Sequence, residues 1–538
     1  MATMTLLERI EKLNAIGVSL SAEKDPARLV EMILLGAKEL TNADGGTIYT
    51  VTEDRRLKFE IIRTSSLGFA MGGTSGVEIP FPPIPLDDDQ GRPNMKMVVT
   101  CAALTGEVIN IPDAYSAEGF DFSGTRRFDE KTGYRSRSFL TVPMRNHEET
   151  IIGVLQLLNA VDAETGEVVP FSDEDQRLVA SLASQASVAM TNNRLIEDQK
   201  RLFDSFIHLI ASAIDDKSPY TGGHCRRVPV LTMMLAEAAT RQQEGELAPF
   251  SLNDEQRYEL EIAAWLHDCG KIITPEHVVD KATKLEKIFD RIHLVEARFE
   301  ILRRDLELAS ATGTISAREC AEGLARLEDD RDFLRRSNTG GEFMPPPEQE
   351  RVRAMAKSYH WRDASGESHP LLSAEEVENL TISRGTLTDA ERQIINNHIV
   401  TTIKMLESLP FPKHLQQVPE FAGGHHEKMD GSGYPRGLTR DQMSVQARIM
   451  AIADIFEALT ACDRPYKKAK TLSESLKIMG FMKKDGHIDP DLFEIFVHSG
   501  AYLEYARRHL KPEQIDEVDL SAIPGLSPPL TKGMSPGS

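Results

Sequence analysis

The stretch EIAAWLHDCGKI at residues 261–272 decides the fold of the second half of the chain. Its apolar residues recur at helical spacing and lead directly into His267 and Asp268, so the pattern predicts a helix that ends in two metal-binding side chains. Two more helical patterns carry such residues: ERQIINNHIVTTIKML at 391–406 contains His398, and QARIMAIADIFEAL at 446–459 contains Asp454. Ligands on helices would project from a rigid scaffold.

The full set of imidazole and carboxylate side chains is large enough for two adjacent metal ions. Its members are His224, His267, Asp268, His398, His425, His426 and Asp454. Any one of these histidines alone is more often an ordinary surface or hydrogen-bonded core residue than a ligand. In a His-Asp doublet the imidazole can bind one ion while the carboxylate bridges to a second. Nitrogen and oxygen ligands without thiolate favour iron, manganese or other first-row ions over calcium.

Length and composition predict a multidomain globular protein. A chain of 538 residues is too long for one core, and it is 41% hydrophobic and 27% charged. It has no uninterrupted apolar run of about 18 residues, and its first residues lack the apolar stretch of a signal peptide, so we expect a cytoplasmic protein outside the membrane. The five cysteines are odd in number and without paired spacing, which argues against a disulfide framework.

The charge balance argues against a nucleic-acid polymer as partner. Lys and Arg total 62 against 83 Asp and Glu, a formal net charge of -21. Such a surface repels DNA or RNA. A small phosphate ligand stays compatible with this charge where metal ions and a few local cations invert its sign.

The chain divides into an α+β part and an all-α part. Residues 1–195 contain strand patterns between helices, as in GGTIYTV at 45–51 and IIGVLQLLNA at 151–160. A helical pattern then continues from residue 173 through a connecting helix at 196–222. Residues 223–515 form a helical bundle interrupted at about 286–380 by a charged segment that we interpret as an inserted helical hairpin. The Pro, Gly and Ser content of 516–538 predicts a disordered tail.

Residues 205–510 resemble the HD-GYP family of HD-type, metal-dependent phosphohydrolases. The segments that carry the resemblance, in order, are HCRRV at 224–228, AAWLHDCGKI at 263–272, TLTDAERQIINNH at 386–398, GGHHEKMDGSGYP at 423–435 and ARIMAIADIFEALTACDRPYK at 447–467. The resemblance implies that one ion is held by His224, His267, Asp268 and Asp454, and the second by Asp268, His398, His425 and His426. Asp268 would bridge the two.

The resemblance also implies hydrolysis of cyclic di-GMP to pGpG or GMP. Two ions about 3.5–4 Å apart lower the pKa of a bound water and clamp a phosphodiester. Asp268 would act within this centre, and Lys271 would offset charge on the phosphate. Substrate contacts are expected from Lys271, Tyr434, Arg464 and Lys467. Loop packing is the alternative role of Tyr434, and an ion-paired helix end is the alternative for the two later cations.

Two departures from the family pattern bear on the site. A glutamate that holds a third ion in some members is here Tyr220, so two ions are favoured. The insertion separates the doublet from the next histidine and leaves His293 near the uninterrupted spacing. The pattern after His398 matches the family better, so His398 is the predicted ligand.

Residues 20–195 resemble a GAF domain. FDEKTGYRSRSFLTVPMRN at 128–146 followed by IIGVLQLLNA is similar to GAF domains that bind cyclic nucleotides. Their signature has Asn-Lys and Asp-Glu, whereas here Asn159 precedes Ala160 and Asp175 precedes Gln176. The resemblance therefore leaves two roles open, a cyclic-nucleotide sensor and a ligand-free dimerisation domain. We expect a homodimer through this domain and the connecting helix.

Two other functions stay open. The substrate could be another cyclic dinucleotide, such as cyclic GMP-AMP, or a nucleotide monophosphate. In a second alternative, the chain is a catalytically silent cyclic di-GMP receptor that signals through a partner protein. A receptor has no need of seven metal ligands, which favours the enzyme.

Overall fold

The computed structural model describes residues 4–217, 223–340, 343–462 and 469–528. The chain forms two compact units, Met1–Phe203 and Asp204–Ser538. Among the described residues, no helix is long and apolar enough to cross a bilayer.

The first unit is an antiparallel sheet with flanking helices, which confirms the predicted α+β class. Its helices are α1 Leu6–Ala22, α2 Pro26–Thr41, α3 Val98–Thr105, α4 Ser123–Thr132 and the beginning of α5 Asp173–Lys217. Its strands are β1 Ala43–Val51, β2 Arg56–Thr64, β3 Phe69–Gly72, β4 Ile84–Pro85, β5 Ile109–Ile111, β6 Phe139–Arg145, β7 Ile151–Val161 and β8 Val168–Val169. The main path runs β3-β2-β1-β7-β6-β5, with β4 paired to β2 and β8 to β7.

The core of this unit lies between the sheet and the apolar faces of α1, α2 and α5. Ile33 and Leu34 of α2, Ile48 of β1 and Leu155 of β7 are fully buried there, as is Leu182 of α5. The alternation of apolar residues along β1 and β7 places one set of side chains against these helices. The domain boundaries expected at residues 195 and 222 stay predictions, and α5 continues through the first of them.

The second unit is almost entirely helical. Its helices are the end of α5, then α6 His224–Thr240, α7 Asp254–Leu266, α8 Glu276–Val279, α9 Ile292–Ala311, α10 Ala317–Asn338, α11 Pro346–Ser358, α12 Ala374–Leu380, α13 Asp389–Glu407, α14 Val418–Gly423, α15 Val445–Thr460, α16 Leu472–Lys484, α17 Pro490–His498 and α18 Ala501–His509. Helix α6 packs against α7, α15, α17 and α18, and α13 packs against α14 and the 3-10 turn Cys269–Ile273. Three of the predicted ligands, His224, His398 and Asp454, lie on helices of this unit, whereas His267 and Asp268 follow α7 and His425 and His426 follow α14.

The insertion is larger than the helical hairpin we expected. Helices α9 and α10 do pack as a hairpin, but α11, α12 and a two-stranded sheet, β9 His360–Arg362 with β10 Ser368–Pro370, follow them. The four helices of the insertion share one apolar core, which includes Phe299, Leu334 and Val352. The many charged residues of α9 and α10 make the apolar positions of this core hard to recognise in the sequence.

The two ends of the insertion meet at buried lysines. Lys281 Nζ donates to both carboxylate oxygens of Glu391 at 2.8 and 2.7 Å and to Asn379 Oδ1 at 2.6 Å. Thr386 donates its hydroxyl to the carbonyl of Lys281 at 2.9 Å. The chain therefore leaves and re-enters the bundle at one place. An insertion of about a hundred residues can be added there while α8 and α13 stay in contact.

The tail is ordered over the part that the structure describes, contrary to the predicted disorder from residue 516. Ser473 N–H donates to Asp516 at 3.0 Å, and Lys483 Nζ donates to the carbonyl of Gly525 at 2.7 Å. Ile523 is 5% exposed. Its burial explains the difference, since one apolar residue anchors a Pro- and Gly-rich segment on α16. Residues 529–538 lie outside the described residues.

Lys284 at the base of the insertion predicts a pH-dependent stability. Burial lowers its pKa to about 8, while its ammonium donates to the carbonyls of Leu380 and Ile382 at 3.1 and 2.8 Å. The unfolded chain keeps this proton up to the ordinary value of 10.5. Between these pH values the unfolded state binds more protons, so the lysine favours the folded state increasingly as pH rises. The contribution of Lys284 to the free energy of unfolding is complete above pH 10.5, the pKa of this lysine in the unfolded chain, and is lost as the pH falls through its pKa of about 8 in the folded protein.

We therefore expect the Tm difference between wild type and Lys284→Met to shift in favour of the wild type as pH rises from about 8 to 10. Scanning calorimetry across this range measures it. Lys477→Met, which changes an exposed lysine of α16, is the control and should show a constant difference. A constant difference for Lys284→Met as well would contradict the prediction.

Candidate metal centre

A first group of ligand-type atoms forms where α6, α7 and α15 meet. His224 is the first residue of α6, His267 directly follows α7, and Asp454 lies in the middle of α15. His224 Nε2 is 3.3 Å from both Asp268 Oδ2 and Asp454 Oδ1. His267 Nε2 is 3.3 Å from Asp268 Oδ2 and 3.9 Å from Asp454 Oδ1. Two imidazoles and two carboxylates thus point at one small volume.

A second group lies on the other side of the Asp268 carboxylate. His398 of α13 places Nε2 at 3.2 Å from Asp268 Oδ1 and at 3.2 Å from His426 Nε2. One ligand atom from each of His398, His425 and His426 lies within 4.8 Å of the others. The two oxygens of Asp268 therefore face different groups.

The backbone fixes the orientation of three of these imidazoles in the same way. The Nδ1 atoms of His267, His398 and His425 lie 2.8, 2.5 and 2.6 Å from the carbonyl oxygens three residues earlier. A carbonyl can only accept, so each Nδ1 carries the proton and each Nε2 keeps a lone pair toward the centre. This is the usual outer-sphere arrangement of metal-binding histidines.

Glu457 orients the imidazole of His224. It lies one helical turn after Asp454 on α15, is almost completely buried, and hydrogen-bonds to His224 Nδ1. Its other oxygen accepts from Arg227 Nε at 2.7 Å. Burial opposes the charged form of His224, but the Glu457 carboxylate raises the pKa of this imidazole well above its ordinary value. The sequence interpretation missed Glu457, although its spacing of three from Asp454 on one helix was a usable signal.

Two polar atoms buried at the centre have no hydrogen-bond partner among the residues that the structure describes. They are Asp268 Oδ1 and His425 Nε2. A buried polar atom without a partner is costly, and an ion between the two groups would satisfy both. The donor set of imidazole nitrogens and carboxylate oxygens also suits divalent first-row metals. The residues present therefore fit a metal centre of this kind.

Burial and neighbouring charges determine the protonation states of Asp268, His425 and His426. Burial opposes the ionised form of Asp268, but Lys271 and His267 hold the pKa of its carboxyl well below the usual range. Burial and the adjacent His426 lower the pKa of His425 well below its ordinary value. Burial lowers the pKa of His426 to about 4. At neutral pH the carboxylate is therefore charged and these two imidazoles are neutral.

Lys271 and Gly270 belong to the turn that follows the doublet. Lys271 Nζ donates to Asp268 Oδ2 at 2.5 Å. Gly270 N–H donates to Thr402 Oγ1 on α13 at 2.9 Å. A Cβ at Gly270 would lie 2.0 Å from the carbonyl oxygen of His398 and 2.6 Å from the nitrogen of Thr402. The glycine thus allows the turn with Asp268 to approach the helix with His398.

The loop at 430–438 is held over the second group. Glu427 is buried and accepts from the N–H groups of Arg436 at 2.7 Å and Leu438 at 3.0 Å. Tyr434 stacks on His426 with ring centroids 4.9 Å apart. Burial, Asp454 and Asp268 raise the pKa of its phenol to about 12, so the hydroxyl stays protonated. Sequence reasoning had missed Glu427, which follows the histidine pair directly.

The structure brings together all seven predicted ligands, together with Lys271 and Tyr434. Arg464, Lys467 and Tyr220 lie outside the described residues. His293, the alternative to His398, begins α9 with a side chain 74% exposed and lies 3.5 Å from Glu296. It is therefore not a member of the two groups.

Asn159 and Asp175, taken from the altered signature in the first unit, have contacts within the protein. The amide of Asn159 donates to Tyr134 Oη and to the carbonyl of Arg135, both at 2.9 Å, and accepts from Arg137 N–H at 2.7 Å. Asp175 accepts from Ser172 N–H at 2.9 Å. These contacts give both residues a role in holding loops.

Three family models match the chain. A GAF domain matches residues 25–190, and HD domains match residues 221–337 and 373–492. The second HD match contains four of the seven ligand-type residues and the loop at 430–438.

Curated relatives of the chain are named as cyclic-dinucleotide phosphodiesterases. The 3'3'-cGAMP-specific phosphodiesterase 1 of Vibrio cholerae is 35% identical over 135 residues, 25% of this chain and 30% of the relative. The 3'3'-cGAMP-specific phosphodiesterase 3 of the same organism is 26% identical over 340 residues, 62% of this chain and 48% of the relative. A cyclic di-GMP phosphodiesterase of Pseudomonas aeruginosa is 38% identical over 113 residues, 21% of this chain and 26% of the relative. The chain thus spans less than half the length of each.

The close approach at Gly270 generates a prediction about metal binding. Gly270→Ala should displace the Asp268 turn from α13 and weaken Mn²⁺ binding by about 10- to 100-fold, the range typical of losing an outer-sphere support. Titration calorimetry with Mn²⁺ measures the affinity. Gly124→Ala, where an added Cβ meets open space, is the matched control and should bind like wild type. Unchanged affinity in Gly270→Ala would refute this role of the glycine.

Proposed function

We propose that this chain, which matches a GAF-domain model and two HD-domain models, is a metal-dependent phosphodiesterase of the HD-GYP type that hydrolyses cyclic di-GMP to pGpG or GMP under regulation by its GAF domain. One observation carries the proposal: the two oxygens of Asp268 face two separate groups of ligand-type atoms. A shared carboxylate between two such groups is suited to a pair of ions.

We assign His224, His267, Asp268 and Asp454 to one divalent ion, and Asp268, His398, His425 and His426 to a second. Iron or manganese suits this donor set. When bound, these ions would act as Lewis acids toward the phosphodiester and lower the pKa of a water molecule.

Residues of the chain itself orient the substrate and neutralise its charge. Lys271 carries a positive charge at Asp268 Oδ2, where it can neutralise charge that builds up on phosphate oxygens. Tyr434 offers a protonated hydroxyl and a ring over His426 as a substrate contact. Arg464 and Lys467 complete the proposed substrate contacts. A cyclic nucleotide is the proposed GAF ligand, and the cytoplasmic location stays a prediction.

Cyclic GMP-AMP is the second candidate substrate. Two of the relatives are named for it, and one of them matches this chain over 340 residues. Both candidates contain the same 3'–5' phosphodiester linkage, so the metal centre alone does not discriminate between them.

A homodimer through α5 is part of the proposal. Eight exposed positions of α5 follow each other at alternating spacings of four and three residues: Val188, Asn192, Leu195, Gln199, Leu202, Phe206, Leu209 and Ala213. This series, which we call the α5 seam, is a heptad pattern with Val or Leu at every d position. The leucines and the valine are each more than half exposed. Asn192 at an a position favours a parallel, in-register pair, because only then does it meet its own copy.

Loss of the shared carboxylate should abolish hydrolysis. We expect Asp268→Asn and His267→Ala to retain the wild-type circular dichroism spectrum, to lose bound metal and to show no turnover of cyclic di-GMP. Elemental analysis and chromatography of the products measure both quantities. His293→Ala, which changes an exposed histidine outside the centre, is the control. Turnover by folded Asp268→Asn would contradict the mechanism.

A substrate panel separates the candidate functions. Purified protein loaded anaerobically with Fe²⁺ or Mn²⁺ should convert cyclic di-GMP to pGpG or GMP, with cyclic GMP-AMP and a nucleotide monophosphate measured in parallel. Faster conversion of cyclic GMP-AMP would replace the proposed substrate by the second candidate. Tight binding of cyclic di-GMP without turnover would instead identify a receptor.

Cysteine cross-linking tests the dimer. Leu195→Cys lies at a d position of the α5 seam and should form a disulfide-linked dimer under mild oxidation. Glu197→Cys, at the outer f position two residues later, should not. Leu195→Asp with Leu202→Asp should yield a monomer in light scattering. Equal cross-linking at residues 195 and 197 would count against the coiled-coil arrangement.

A further inference from the structure

We propose that Asp215 and Lys217, in the last turn of α5, are positioning residues that set the geometry of the first ligand group. For its activity readout the inference rests on the proposed function, whereas its metal-binding readout does not. Asp215 holds the helix that begins with His224, and Lys217 holds the turn that follows Asp268.

Asp215 caps the N-terminus of α6. Its two carboxylate oxygens accept from the N–H groups of Gly223 at 3.0 Å and Cys225 at 3.1 Å, on either side of His224. Asp215 is 3% exposed, so these bonds are shielded from water. A carboxylate at this position also interacts favourably with the positive end of the helix dipole. The backbone of His224 is therefore fixed from α5.

Lys217 caps the C-terminal end of the 3-10 turn that follows Asp268. Its ammonium donates to the carbonyls of Lys271 at 3.1 Å and Thr274 at 2.7 Å, and also to that of Ile272. These carbonyls belong to the 3-10 turn Cys269–Ile273 and the residue after it. Three acceptors on one ammonium define its position closely. The backbone of Lys271, whose side chain binds Asp268, is therefore fixed from α5 as well.

Both contacts reach the same ligand group. A small cavity lined by Asp215, Lys217, His224, Asp268 and Lys271 lies between them. His224, whose backbone Asp215 holds, belongs to the first group alone. Apart from the shared Asp268, the second group stands on α13 and at residues 425–426, where backbone carbonyls hold the imidazoles of His398 and His425. A shift or rotation of the last turn of α5 would therefore change the first group more than the second.

Because these contacts act mainly on the first ligand group, α5 can change the geometry of one part of the metal centre. The Asp215 bonds and the Lys217 bonds point to two different backbone segments, so the last turn of α5 acts as a clamp between them. A conformational change can alter activity only through a difference in contacts between two states. Two states of the chain that differ in whether the Asp215 and Lys217 hydrogen bonds are formed would differ in their contacts at the metal centre.

The test measures Mn²⁺ binding and turnover in the full-length chain. Asp215→Asn and Lys217→Met are compared with Asp216→Asn, which changes the exposed aspartate between them, and with the conservative variant Lys217→Arg. Free Mn²⁺ is followed by electron paramagnetic resonance during titration of metal-free protein. Tm is measured on the same samples, and kcat and KM for cyclic di-GMP are measured at saturating Mn²⁺.

We expect wild type and Asp216→Asn to bind two Mn²⁺ per chain. Asp215→Asn and Lys217→Met should weaken one of the two binding events by about tenfold, the lower end of the effect of outer-sphere changes, and leave the other unchanged. Their kcat should fall about tenfold with little change in KM. Lys217→Arg should restore part of both properties, because it keeps the charge and the donors.

Two results would overturn the inference. One is wild-type affinity for both Mn²⁺ ions in folded Asp215→Asn and Lys217→Met. The other is equal weakening of both binding events together with a lower Tm, which indicates a general structural role. Selective loss of one binding event, in a chain that turns over no cyclic dinucleotide, would support the clamp and refute the proposed function.

Discussion

The carboxylate of Asp268 is the contact on which the rest of the site depends. Its two oxygens lie between two groups of ligand-type side chains, five imidazoles and the carboxylate of Asp454, that come from five separate segments of the chain. Burying such a charge requires compensation, which Lys271 and His267 provide by holding its pKa low. The helical bundle brings His224, His267 and His398 to within 3.3 Å of the oxygens of this one residue. Gly270 makes this approach sterically feasible.

The outer contacts of the site follow one principle. The Nδ1 atoms of His267, His398 and His425 face backbone carbonyls of their own segments, which leaves every Nε2 free for an ion. His224, the first residue of its helix, has a different partner at Nδ1. A separate carboxylate, Glu457, takes this place. The first ligand group thus needs more support from distant residues than the second, in line with the clamp proposed at the end of α5.

The insertion shows how a long segment can be added without disturbing such a site. Its ends are joined by the buried pair of Lys281 and Glu391, so α13 keeps its place beside the Asp268 turn. Its own apolar core stabilises the added helices separately from the bundle. The sequence distance between His267 and His398 therefore says little about their distance in space. The flanking pattern of His398, rather than spacing, was the informative signal.

The helical and α+β classes, the seven ligand-type residues and the choice of His398 follow from the residue pattern alone, because periodicity and short motifs are local properties. This pattern could not determine that the insertion has a core or that residues 516–528 pack on the bundle, since single apolar residues such as Ile523 are decisive there. Only the tertiary structure identified Glu457, Glu427, Asp215 and Lys217. The roles of Glu457, Asp215 and Lys217 come from contacts between segments that are distant in the chain. Apart from the spacing of Glu457 from Asp454, no local pattern distinguishes these charged residues from those on a solvated surface.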